Sequence, residues 1–205
     1  MAKFDISDRN LTSLVGIKFP ENVQILFCDQ NQLTSLEGCP PSVQTLYCDS
    51  NQLTSLEGCP SFLKFLNCEH NKLTSLDGCP SSVQTLDCEN NRIISLEDCP
   101  PSVQILFCNN NRITSLEYCP SSVQHLFCKD NPLNTDYRNK KREQIHKINK
   151  IKAYRKGILK LNSIIFPTLI QRWFRYHYYD KLNSDGLSVF CLRSMEEDRK
   201  SGIVI

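Results

Sequence analysis

Val23-Gln-Ile-Leu26-Phe-Cys28-Asp-Gln-Asn31-Gln-Leu33-Thr-Ser-Leu36-Glu-Gly-Cys39-Pro40 is the stretch that decides the fold, because the chain goes on to repeat it. New copies start at Val43, Leu63, Val83, Val103 and Val123, a period of 20 residues. Eleven of the 12 cysteines fall on two ladders with that period. One is Cys28, Cys48, Cys68, Cys88, Cys108 and Cys128; the other is Cys39, Cys59, Cys79, Cys99 and Cys119. A catalytic site does not recur six times along a chain, whereas a stack of coils needs the same residue at the same inward point of every coil. Within the unit, Leu26 and Cys28 alternate with Ile25, Phe27 and Asp29, which is the two-residue period of a strand. Leu26 and Cys28 are therefore expected to point inward, with successive strands stacked in parallel about 4.8 Å apart.

The remaining positions follow from the same physics. Asn31, Asn51, Asn71, Asn91, Asn111 and Asn131 stand where the chain turns after the strand, and an amide there can both donate to and accept from backbone groups that the turn leaves unpaired. Leu33 and Leu36 return to the core, with Ile93 and Ile113 in place of the former in two units. Pro40, Pro60, Pro80, Pro100 and Pro120 exclude a helix from the return segment, which should be extended or polyproline-like. The first unit deviates, as terminal repeats do when one face lacks a neighbour. Phe4 and Ile6 take the places of Leu26 and Cys28, and Leu11 and Leu14 those of Leu33 and Leu36. Arg9 replaces the ladder Asn, and the stretch from Leu14 to Val23 is longer than its later counterparts.

Val23, Leu26, Cys28, Asn31 and Leu33 reproduce the leucine-rich-repeat signature, with Cys at the third apolar position. The resemblance covers roughly residues 1–133. The short unit is similar to the 20-residue repeats of secreted bacterial effectors and, through its Cys-Pro pairs and a basic Lys/Ile/Asn-rich tail, more closely resembles the leucine-rich repeats of giant DNA viruses. It implies a solenoid with short parallel strands on a concave face, an extended convex side and a small α-helical appendage. Some bacterial relatives carry a ubiquitin-ligase domain with a Cys-x-Asp nucleophile; here the tail offers Cys191-Leu192-Arg193, and that activity is not carried over.

Residues 1–133 form one expected domain and residues 134–205 a basic, mostly helical tail. The first holds 8 Lys/Arg against 15 Asp/Glu, a net −7, and the second 16 against 7, a net +9. Such a split argues for two functional surfaces or for a tail that folds back on the repeats. The N-terminus lacks the apolar segment of a secretory leader, and no stretch approaches the ~20 apolar residues that span a bilayer. The expectation is a soluble, intracellular protein, in host cytoplasm or virion if viral, with free thiols and no membrane partner.

On the concave face three outward columns can be written. Ile25, Thr45, Phe65, Thr85, Ile105 and His125 form the first; Phe27, Tyr47, Asn67, Asp87, Phe107 and Phe127 the second; Asp29, Asp49, Glu69, Glu89, Asn109 and Lys129 the third. Phe27, Tyr47, Phe65, Phe107 and Phe127 offer contact area, while Asp29, Asp49, Glu69 and Glu89 select a basic protein partner. Against this stands the plainer reading that stacked aromatics merely stabilise adjacent strands. The cysteine spacings of 11 and 9 are not those of zinc sites, so the ladders are expected to be core packing with no metal and no cofactor. His70 and His125, among abundant Ser and Asp, form no recurring nucleophile and base arrangement, and the chain is not expected to be an enzyme.

In the tail, Ile145, Ile148 and Ile151 recur at near-helical spacing and predict a helix covering the open end of the stack. A second helix is expected from Thr168 to about Leu182. There Ile170, Gln171, Trp173, Phe174 and Arg175 resemble the first half of the calmodulin-binding IQ motif, which implies a calmodulin-like partner. The motif's Gly is replaced by Tyr176, and its second basic residue is displaced to Lys181 with Asp180 in its place. The plainer reading packs Trp173 and Phe174 on neighbouring helices. The tail's charge and Tyr176, Tyr178 and Tyr179 could serve nucleic-acid binding, but nothing organises them into a known module and nucleic acid is not the expected partner.

Overall fold

The computed structural model describes residues 2–138 and 140–163, the side chains of Arg142, Arg155 and residues 157–163 excepted. The chain divides into two compact units, residues 1–153 and 154–205. The first holds seven strands: β1 (Ala2–Asp5), β2 (Val23–Phe27), β3 (Thr45–Tyr47), β4 (Phe65–Asn67), β5 (Thr85–Asp87), β6 (Ile105–Phe107) and β7 (His125–Phe127). They form one parallel sheet in sequence order. The helix α1 (Arg142–Ser163) begins in this unit.

The sheet register is the sequence period. Leu26 pairs with Leu46, Leu46 with Leu66, Leu66 with Leu86, and so on to Leu126. Phe4 pairs with Leu26, so the extra length of the first unit lies in its return segment. The alternation holds: Leu46 is buried while Thr45 and Tyr47 stand half-exposed on the opposite face. Val23, Leu26, Cys28, Leu33 and Leu36, and their equivalents through the middle coils, are completely buried and form one continuous core. Each such apolar side chain contributes about 2 kcal/mol to folding. The inner cysteines also bond. The Cys28 thiol donates to the Tyr47 carbonyl at 3.3 Å, which already accepts the Cys28 amide at 2.8 Å. Cys48, Cys68 and Cys88 repeat the contact on Asn67, Asp87 and Phe107. A leucine in these places would fill space without reaching the strand carbonyl.

The asparagine ladder ties each coil to the one before it. Asn51 donates to the carbonyls of Cys28, Cys48 and Asp49 at 3.0, 3.1 and 3.1 Å, and accepts the Leu33 amide at 2.9 Å. The residue before each ladder Asn has a left-handed backbone: Gln30, Ser50, His70, Asn90, Asn110 and Asp130, with φ from 50° to 54°. That conformation swings the chain out of the strand. The return segment carries no helix. Its expected extended course is interrupted by two tight turns around Cys-Pro, closed by Cys39 N–H on Leu36 O at 3.0 Å and Val43 N–H on Pro40 O at 3.2 Å.

Both ends of the stack are closed from within this unit. At the first coil Phe4 meets Phe19 edge to face, ring centres 5.5 Å apart, using the longer return segment. At the last, Leu133, Tyr137, Ile145 and Ile148 join the core cluster, as the isoleucine spacing predicts. The Tyr137 hydroxyl donates to Asn149 Oδ1 at 2.8 Å, and Asn149 Nδ2 donates to Leu116 O at 2.6 Å. Lys152 Nζ lies 4.6 Å from the Tyr137 ring centre and 2.8 Å from Asp136 Oδ2. Gln144 starts the helix by accepting the Lys141 amide at 2.9 Å, as the third helical residue does in a capping box.

Candidate functional site

The face opposite the core is set by three short columns of side chains, and its aromatics form two separate platforms. Phe27 stacks on Tyr47, ring centres 4.8 Å apart and planes 11° apart. Tyr47 then meets Phe65 at 5.1 Å and 42°. Phe65 belongs to the neighbouring column, so this contact is a diagonal one between adjacent strands. Phe107 stacks on Phe127 at 4.6 Å and 6°. Phe127 remains 44% exposed, the most open of the five. Between the platforms, the same column is occupied by Asn67 and Asp87.

Carboxylates flank this gap and are held by neutral donors. Ser7 Oγ donates to Asp29 at 2.8 Å, Asn67 Nδ2 to Asp49 at 3.3 Å, and Asn90 Nδ2 to Glu69 at 3.0 Å. Asn109 Nδ2 donates to Glu89. His70 Nε2 lies 3.3 Å from Glu69. Among the described residues no Lys or Arg is ion-paired with Asp29, Asp49, Glu69, Asp87 or Glu89. Like charges one strand apart repel, and this adds to the effect of burial. Burial pushes the Asp87 carboxyl up to about 6, with Glu69, Glu89 and Asp49 adding to the rise against the Glu89 amide that it accepts at 3.1 Å. Asp49 is raised by burial first and then by Asp29 and Glu69.

All five aromatics and all four carboxylates singled out from the sequence thus lie along one face of the sheet. In the sequence Asp87 stands out only as a non-aromatic member of the second column. Its signal was present, since the adjacent column puts Glu69 and Glu89 beside it, but its raised pKa depends on burial that a column table does not contain. His125 is exposed on β7, and His70 sits in the left-handed turn after β4. The described residues hold no group of three or more His, Cys, Asp and Glu side chains placed to share a metal ion. The eleven described cysteines are free thiols. Burial raises those of Cys39, Cys59, Cys99 and Cys119 to about 12, those of Cys28, Cys48, Cys68, Cys88 and Cys108 well above the ordinary thiol value, and that of Cys128 less far. Such thiols are poor nucleophiles and poor ligands at neutral pH. Ile170, Gln171, Trp173, Phe174 and Arg175 lie outside the described residues.

No family model matches the chain, and no curated protein does. Several solved structures are similar. The leucine-rich-repeat domain of a Shigella effector shares 26% identity over 66% of this chain and 71% of its own, with a TM-score of 0.55. YopM from Yersinia enterocolitica WA-314 shares 25% identity over 66% of this chain, with a TM-score of 0.57. YopM from Yersinia pestis, described as a leucine-rich effector protein, shares 30% over 56%, with a TM-score of 0.50. The matched region spans 30% and 32% of the two YopM chains. The fold is that of a leucine-rich-repeat solenoid, and these neighbours are effector proteins of that fold.

Proposed function

We propose that the chain is a non-enzymatic interaction scaffold that holds a protein partner of basic character on the open face of its sheet. One observation carries the reading: two stacked aromatic platforms share that face with carboxylates that pair with no Lys or Arg among the described residues, His70 beside Glu69 being the one titratable base in contact. Aromatic groups in such a setting supply binding energy, and unpaired charge of one sign supplies selectivity and steering. The fold supports it as well, since solenoids of this kind commonly mediate protein–protein contact. Replacing Phe107 and Phe127 together by Ala tests it. The double variant should lose the specific partners that the unaltered protein retains from a cell lysate, while keeping its circular dichroism spectrum. Retention of every partner would sink the proposal.

The finer parts of the reading stand on sequence. The Cys-Pro repeats and the basic tail support a relation to giant-virus proteins, and the free thiols support an intracellular setting. The spacing of Ile170, Gln171 and Arg175 supports recruitment of a calmodulin-like protein by residues within 165–183, carried by a tail region from residue 134 onward. A synthetic 165–183 peptide titrated against calmodulin, with and without calcium, decides that part; no binding in either state removes it.

A further inference from the structure

The gap between the two platforms describes the partner more closely than its charge alone. Tyr47 and Phe107 are separated by three coils, roughly 14 Å at the usual strand spacing. Asn67 and Asp87 occupy the interval, with Glu69 and Glu89 on adjoining positions. Asp87 is half-buried, and among the described residues only the Glu89 amide donates a hydrogen bond to its carboxylate. A flat apolar ligand spanning both platforms would bury that carboxylate without a cation, which disfavours such binding. An anionic surface, whether phospholipid or nucleic acid, would meet five carboxylates. What fits is a chain that is apolar at both ends and cationic in between.

An extended peptide advances about 3.3 Å per residue and presents alternate side chains to one side. Four residues cover roughly 13 Å, close to the platform separation. We infer that this face takes an extended peptide segment in which an Arg or Lys stands two residues from an apolar side chain in each direction, the apolar groups on Tyr47 and Phe107 and the long basic side chain reaching from between Asn67 and Asp87 to the Asp87 carboxylate. The inference rests on the proposed scaffold function and gives its ligand a pattern: apolar, any, basic, any, apolar. Glu69 and Glu89 then act as the rim that holds the cation's remaining donors.

The test is selection of a displayed library of random linear peptides on the intact protein, followed by affinity measurement of the recovered sequences. Recovered peptides should share the alternating pattern and bind about tenfold or more weakly to Asp87→Asn and to Phe107→Ala, as loss of a central anchor does. Glu57→Gln, in a return turn, should leave their affinity unchanged. The Asn variant can still accept the Glu89 amide, so it is expected to fold. Binders that lack a cation, or that keep their affinity for Asp87→Asn, overturn the inference. If such binders still require Phe107, the scaffold reading survives; if no recovered peptide is sensitive to Phe107→Ala, both fail.

Discussion

Among the described carboxyl groups, Asp87 is the one that burial shifts furthest. The Asp87 value of about 6 lies above the ordinary 3.8, so the folded state keeps a proton that the unfolded chain has already released between those values. Stability therefore falls as pH rises through that window and is lowest, as far as this group is concerned, above it. Asp87→Asn should add about 1 kcal/mol at pH 7, after allowance for the solvent that screens a half-buried group, and nothing at pH 4. Urea titrations at the two pH values measure this; equal gains at both would refute it. Gly58 is a second decisive position. Its φ is +87°, and an added Cβ would stand 2.7 Å from Glu37 N and Leu36 C. Gly58→Ala should cost about 2–3 kcal/mol by the same titration, since strain and steric overlap act together. The Gly is legible as a turn residue in the sequence. Its close approach to the coil beneath is not, and Asp98 and Tyr118 at the equivalent places show that the turn need not be left-handed.

The elements of this fold are linked by side-chain amides as much as by strand pairing. Asn91 donates to the carbonyls of Cys68, Cys88 and Glu89 and accepts the amide of Leu73, all within 3.2 Å. Asn91→Ala would strand these buried backbone groups and should lower stability by about 3 kcal/mol or more. Asn131→Ala, at the more open last rung, should cost less. Chemical denaturation of both variants gives the comparison, and a larger loss at Asn131 would count against the ladder's role. The strands, their inward residues and this ladder were readable because each repeats in register, so one unit's ambiguity is removed by the next. The helix beyond them was readable from three isoleucines alone. Its attachment was not, because Tyr137, Asn149 and Leu116 meet only once and leave no period to detect. Ile145→Asp should expose the end of the core, raising binding of a hydrophobic dye and lowering the unfolding midpoint.

From Val23 to Leu133 the first unit is a line of near-identical coils, each strand paired only with its neighbours. Its thiols should accordingly be silent until that line opens. Alkylation mapped by mass spectrometry is expected to leave Cys68 and Cys88 unmodified in native buffer and to label both in denaturant, since neither access nor the thiolate is available in the fold. Native labelling of either would show that coils open singly. The same construction, with partners 20 residues apart at every step, also sets a mechanical property. Pulled by its ends, a coil that detaches gives up about 5 Å of stack height and releases a chain of roughly 70 Å when taut. Extension under load would thus proceed in equal increments, making the unit a molecular spring with graded compliance whose yield points count its coils.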